Sequence, residues 1–382
     1  MRRAALSLLA LAWAGIAAAE PDAAAIARVT QPPLGLPAVP VPETNRPTAE
    51  RVALGRKLFF DRRLSHNETL SCAMCHVPEQ GFTTNELAKA VGMEGRTIRR
   101  NSPTLLNVAY ATSLFHDGRE ANLENQVLGP LLAANEMANP SIGHVLGKLA
   151  GLPDYRGLFE RAYGGPGVEA LGKALATYQR TLVSANAPFD RWRWGGEAEA
   201  LSPAARRGFA LFTGKAGCSG CHSLAEDHAL FTDNGFHDTG IGWRASTAAG
   251  GDLRVELAPG VFGTVSGAAV RSVSGDMPND VGRYEVTLDP ADRWKYRTPS
   301  LRNVALTAPY MHDGSLATLA EVIDYYDRGG SPHELLDQRI RPLGLGPDEK
   351  QELAAFLESL TGDNIAALVE DARSVPIGNP RQ

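Results

Sequence analysis

Apolar residues recur at helical spacing through long stretches of this chain. Val52, Leu54, Leu58 and Phe59 form one such stripe, and Phe209, Leu211 and Phe212 form another. The spacing predicts a helix over 168–182 and a further one over 350–360, where Leu353, Phe356, Leu357 and Leu360 share a face. Ser202-Pro203 marks a helix start, a capping hydroxyl followed by a proline suited to the first helical position. The pattern predicts an all-α fold. Two stretches depart from it. Pro32–Pro47 is proline-rich and reads as an extended lead-in. Residues 243–289 are glycine-rich and read as a long loop or small insertion.

The first nineteen residues follow a different logic. Arg2 and Arg3 precede an apolar run from Ala4 to Ile16, and Ala17-Ala18-Ala19 stand before Glu20. That is the layout of a secretory signal peptide over residues 1–19. The run is too short to favour a membrane span, so the mature protein is expected in the periplasm without membrane insertion. Loss of Arg2 and Arg3 would take the formal net charge from −5 to −7. A mildly acidic chain without basic tracts gives no reason to expect nucleic acid as a partner.

Four cysteines in an exported chain would ordinarily suggest two disulfides. Their placement argues otherwise. They stand in Cys72-Ala73-Met74-Cys75-His76 and Cys218-Ser219-Gly220-Cys221-His222, both of the form C-x-x-C-H, the haem c attachment motif. In each, two thiols add to the two vinyl groups of one haem, and His76 or His222 is carried beneath the ring to coordinate iron. Two covalently bound haem c groups follow.

The chain also repeats itself. Ser102-Pro103-Thr104-Leu105-Leu106-Asn107-Val108-Ala109 matches Thr298-Pro299-Ser300-Leu301-Arg302-Asn303-Val304-Ala305. Each is followed after the same gap by His116-Asp117-Gly118 or His312-Asp313-Gly314. One constant offset aligns them, which chance rarely produces. The expected organisation is a lead-in over 20–46, a first haem domain over 47–198, a second over 199–365, related by duplication, and a tail over 366–382.

With these residues in view, the chain resembles the bacterial di-haem cytochrome c peroxidase and MauG family over about residues 47–362. Asn101-Ser102-Pro103-Thr104, Asp117-Gly118-Arg119, Glu124-Asn125-Gln126, Glu136-Met137 and Ala308-Pro309-Tyr310-Met311-His312-Asp313-Gly314 carry the likeness. The resemblance implies two cytochrome c-like helical domains with their haems close together and a calcium ion between. It implies that the first haem meets hydrogen peroxide and the second passes electrons. It assigns the first haem's distal pocket to Gln126, Pro130 and Glu136, with Glu136 moving protons during O–O cleavage. Calcium is implied through Asn101 with the backbone oxygens of Thr307 and Pro309.

The repeat separates the two iron sites on the residues themselves. Fourteen positions after His312 lies Tyr326, and fourteen after His116 lies Pro130. Tyrosine offers a phenolate oxygen and proline offers no side-chain ligand. Tyr326 is therefore the expected sixth ligand of the second haem, with Met311 as its competitor, and the first haem is expected to be open. Many family members close the first site with a loop histidine. Residues 77–100 contain none here, and Met93 is the only soft substitute. His116 stands where the family often has tryptophan between the haems, as an electron relay or a propionate partner. His66, His144, His228, His237 and His333 show no ligand spacing and read as surface or loop residues.

Three functions compete on this sequence. The first is a peroxidase fed by a small periplasmic electron-transfer protein, a cytochrome c or cupredoxin. The second is a MauG-like oxidase that withdraws electrons from a protein substrate; Tyr326 and the missing loop histidine favour it, whereas Ala216 replaces the tryptophan of the known exit route. The third is a plain di-haem electron carrier, which would need neither Glu136 nor an open distal face.

Overall fold

A computed structural model describes residues 21–247, 253–258, 261–266 and 280–375. The predicted signal peptide and much of the predicted insertion therefore lie outside the described residues. Two helix pairs position everything else. Helix Ala49–Phe60 starts at Thr48, whose hydroxyl accepts from the Arg51 N–H, and crosses helix Val168–Arg180. The crossing is tight because Gly55 faces the Ala174 carbonyl, where any Cβ would collide. Helix Pro203–Thr213, capped by Ser202 as its sequence predicts, crosses helix Pro347–Glu358 the same way. There Gly208 faces the Glu352 carbonyl.

Each pair carries its own apolar core. The first gathers Leu54, Leu58, Phe59, Leu171, Leu175 and Tyr178, with Cys72 and Ala73 packed against it. The second gathers Phe189, Phe212, Phe231, Leu353, Phe356 and Leu360, with Cys218 packed against it. Full burial of such a side chain stabilises by about 1.5–3 kcal/mol.

The architecture is mostly helical, but not all-α. Strand Phe236–Asp238 pairs antiparallel with Lys295–Arg297, His237 opposite Tyr296, and Leu253–Ala258 forms a hairpin with Val261–Val265. Leu253, Val255 and Leu257 alternate with Arg254 and Glu256, a period-two signal. The high glycine content of the surrounding stretch obscured it.

Two further helices, Pro21–Thr30 and Ile365–Ala372, bring the two ends of the described residues together. Leu368 and Ala372 enter the first core. Asp371 takes Arg56 Nη2 at 2.7 Å and Arg28 Nη2 at 3.0 Å, while Arg56 Nη1 reaches Asp22 at 2.7 Å. The lead-in is tied to the second unit as well: buried Arg302 pairs with Asp190 at 2.9 Å and donates to the Gly35 and Ala229 carbonyls at 2.6 and 2.5 Å. No helix among the described residues is long and apolar enough to cross a membrane.

Candidate active site

Both C-x-x-C-H loops fold as one short 3-10 turn followed by the histidine. The His76 N–H reaches the Cys72 carbonyl at 3.0 Å, and the His222 N–H reaches that of Cys218 at 2.9 Å. Each imidazole also donates from Nδ1 to a backbone carbonyl, His76 to Phe82 at 3.2 Å and His222 to Phe231 at 2.9 Å. That bond leaves Nε2 as the lone-pair nitrogen and fixes the ring's direction, the usual arrangement of a metal-ligating histidine. Burial pushes His76 down to about 4 and lowers His222 too, so both rings are neutral and able to coordinate.

The four thiols form no disulfide. Burial pushes Cys72 up to about 12, Cys75 to about 11 and Cys218 to about 11. A site that disfavours thiolate suits the neutral thioethers of haem c. Cys221, His222, Tyr326 and Met311 line a cavity of about 340 Å³ with Cys218, and His116 and Asn101 reach it from the first unit. Arg297 also lines it, and its buried Nε has no hydrogen-bond partner among the described residues. Its Nη1 reaches the Thr298 carbonyl at 3.4 Å, but a buried guanidinium nitrogen left without an acceptor is costly, and a haem propionate would supply one. The residues present fit haem c.

Of the two adjacent tyrosines, Tyr325 is buried and donates to the Thr239 carbonyl at 2.6 Å, whereas Tyr326 turns into the cavity. The Tyr326 hydroxyl makes no hydrogen bond among the described residues. Burial, with the nearby Cys218 and Cys221 sulfurs, pushes its pKa well up. Met311 lines the same cavity, held at φ +72°. Tyr326, the expected sixth ligand, and Met311, its competitor, thus line one cavity with Cys218, Cys221 and His222.

Around the first loop the environment differs. Glu136 is half-buried and close enough to Cys72 and Cys75 to raise both. Burial in turn raises the Glu136 carboxyl, against a smaller opposing pull from Arg119. Its loop is pinned to Pro130 by the Met137 N–H at 3.1 Å and to Met93, whose N–H donates to the Glu136 carbonyl at 3.0 Å. Pro130 lies in helix Leu128–Leu132, and Gln126 closes the preceding helix Leu123–Gln126. No hydrogen bond joins Gln126 to Glu136.

The other expected residues gather at the seam. His116 Nε2 lies 2.9 Å from the Asn101 carbonyl, and the Asn101 N–H donates to the His312 carbonyl at 2.7 Å. Asn101, Thr307 and Pro309 line the same cavity, and neutral oxygen donors of this kind suit a hard cation. Two histidines expected at the surface are instead built in. His237 sits between Asp233 at 2.9 Å and Asp337 at 2.8 Å, and His333 packs between Trp243 and Trp294. Asp233 at i−4 was a visible local signal for His237; the partners of His333 are remote in sequence. Cys221, Asp233 and His237 bring their ligand atoms within 4.8 Å of one another, but thioether formation at Cys221 leaves that group without its thiolate.

A mostly helical chain with two histidine-bearing haem c loops is a di-haem oxidoreductase by class. It belongs to the di-haem cytochrome c peroxidase and MauG family. The model of the di-haem cytochrome c peroxidases matches residues 49–199. The methylamine utilization protein MauG of Methylorubrum extorquens is 40% identical over 331 residues, covering 86% of this chain and 83% of that one. Cytochrome-c peroxidase IdrP1 of Denitromonas iodatirespirans is 38% identical and covers 92% of each. Among solved structures, a MauG-like protein associated with microbial copper homeostasis superposes with TM-score 0.72 at 31% identity, over 92% of this chain and 98% of that one.

Proposed function

We propose that the chain is an exported, periplasmic di-haem peroxidase that reduces hydrogen peroxide at its first site with electrons drawn through its second. The observation that carries this reading is the contrast between the two loops: a half-buried carboxylate, Glu136, beside Cys72 and Cys75, and a phenol, Tyr326, beside Cys218 and Cys221. Haem at the first loop would supply the metal that binds peroxide, and haem at the second a reservoir of electrons.

The remaining roles fall to the protein. His76 and His222 hold the proximal face of each site, oriented by Phe82 and Phe231. Glu136 takes the proton from the nearer peroxide oxygen and returns it to the departing one; its raised pKa places it closer to working pH, where such transfer is efficient. Pro130 offers no side-chain ligand to a haem that His76 would hold, and Gln126 would line the pocket with it. Tyr326 caps the second site, since a metal's charge offsets the burial that otherwise keeps its phenol protonated. Arg297 receives a propionate, and Asn101, Thr307 and Pro309 hold calcium at the seam. Two electrons and two protons turn each peroxide into two waters. The electrons come from a small periplasmic cytochrome c or cupredoxin.

Matched local geometry supports a duplicated pair of domains. Asn107 and Asn303 share φ +61°, and the bridge of Leu114 to Glu120 has its counterpart in Tyr310 to Leu316. A second reading, MauG-like oxidation of a protein substrate, is favoured by Tyr326 and by the lack of any histidine over 77–100. Mixing the loaded ferric protein with stoichiometric peroxide tests both, followed by optical and Mössbauer spectroscopy. Rapid consumption that Glu136→Gln slows supports the proposal; inertness of the wild type ends it.

A further inference from the structure

We infer that Tyr296 and Trp294 form a one-electron relay from the haem cavity to a surface site built around Trp243, Trp294 and His333, where an electron-rich aromatic ring is oxidised. The inference rests on the peroxidase reading above and goes beyond it by adding an aromatic reductant alongside the small redox protein.

Tyr296 is buried at the seam. Its ring stacks on His312 with centroids 3.6 Å apart and planes 10° apart, and it lines the same cavity as His222, Tyr326 and His116. Its hydroxyl donates to Asp280 Oδ1 at 3.0 Å. Arg100 holds that carboxylate with Nε and Nη2, each at 2.7 Å, so the acceptor is fixed and ionised.

The next aromatic ring outward is Trp294. The Tyr296 hydroxyl oxygen and Trp294 Cδ1 lie 2.9 and 3.1 Å from the single point where a Cβ on Gly242 would sit. The bare glycine lets the two rings approach. Trp294 meets His333 edge-on at 5.5 Å, and His333 stacks on Trp243 at 4.9 Å with planes 1° apart. Trp294 also adopts φ +59°, an outlying conformation for a bulky residue, held by its N–H to the Val281 carbonyl at 2.9 Å and its indole N–H to Ser246 Oγ at 3.1 Å. Such outliers gather at functional sites. Trp243, Trp294, His333, Arg293 and Glu334 line a surface cavity of about 500 Å³.

Phenol and indole are the side chains most readily oxidised by one electron. In each transfer Tyr296 gives up one electron, which haem held by the C-x-x-C-H loops would pass to hydrogen peroxide as the oxidant, while its phenolic proton passes to Asp280, leaving a neutral tyrosyl radical and a carboxylic acid. Trp294 then supplies an electron, Asp280 returns the proton, and the ring bound at Trp243 refills Trp294 across His333. Two such transfers oxidise a hydroquinone to its quinone, release two protons and convert one peroxide into two waters. The aromatic ring is carried by a free phenol or by a tyrosine of a partner chain.

The test uses the loaded enzyme. Peroxide is added without reductant, samples are freeze-quenched for electron paramagnetic resonance, and oxidised residues are mapped by mass spectrometry. Radical signals from Tyr296 and Trp294 are expected, with oxidation concentrated on Trp243 and Trp294. Trp294→Phe should cut Trp243 oxidation and kcat/KM for hydroquinone at least tenfold, whereas Trp294→Tyr, still oxidisable, should retain most of both. Tyr296→Phe should abolish the tyrosyl signal. A short tyrosine peptide in place of hydroquinone separates the two sources of the ring: cross-linking of the peptide shows that a chain can enter, and turnover of hydroquinone alone restricts the site to free phenols. Peroxide consumed with Trp243 oxidation unchanged in Trp294→Phe and Tyr296→Phe overturns the relay alone. Peroxide left unconsumed by the wild type removes the peroxidase reading and the relay with it.

Discussion

Around Cys72 and around Cys218 the backbone follows the same course: a glycine-tightened helix crossing, a short turn carrying the thiols, and a histidine tied through Nδ1 to a carbonyl. What stands opposite differs. The first loop faces a half-buried acid on a pinned loop, and the second faces a phenol and a thioether in a cavity shared with the seam. The loop geometry common to both units is set by the local backbone, and the contrast on which the proposed division of labour rests by single residues arriving from elsewhere in the chain.

The sharpest way to break that comparison is Glu136→Gln. Removing one positioned acid-base group is expected to lower peroxide kcat/KM by about 10²–10⁴-fold while leaving reduction of the second haem intact, as stopped-flow absorbance would show. Equal slowing at both haems would mean the two sites are not specialised in this way.

A second change tests a difference in packing. Arg302 is fully buried on Asp190, whereas its repeat partner is the apolar Leu106. Asp190→Asn strands a buried cation and should cost about 3–5 kcal/mol in denaturant unfolding. Tyr326→Met then addresses the proposed cap: an anionic phenolate stabilises the ferric state, whereas a neutral thioether favours the ferrous one, so the second haem's potential should rise by about 0.1 V, within the roughly 0.8 V that axial ligands span. Spectroelectrochemistry would read the shift; no change would transfer the role to Met311.

The smallest effect concerns the matched pair His116 and His312, which burial pushes down to about 3 and about 4. Neutral when folded, each takes up a proton on unfolding below about pH 6.5. The stability they contribute is complete above that value and is lost as pH falls toward about 4, by up to about 1.4 kcal/mol per pH unit for each ring. Urea titrations between pH 7 and 5 should show this slope, and His116→Asn should reduce it.

What was legible in the sequence was local or repeated. The loops, the helices near Leu58, Phe209 and Leu353, and the Ser202 cap follow from spacing, and the constant offset alone set Tyr326 against Pro130. Features made by distant encounters were not legible. His333 between Trp243 and Trp294, and Asp371 on Arg28 and Arg56, depend on residues far apart in the chain, and no short window contains both halves of such a contact. The hairpin at Leu253 carried a period-two signal that its glycine-rich surroundings obscured.

The helix Ile365–Ala372 has a consequence for assembly. Because Leu368 and Ala372 complete the first core and Asp371 neutralises Arg56 there, the amino-terminal half cannot finish folding while it is being synthesised. The common order in which the leading domain matures first is reversed here, because the second core contains no residue of this helix and can form before the first is closed.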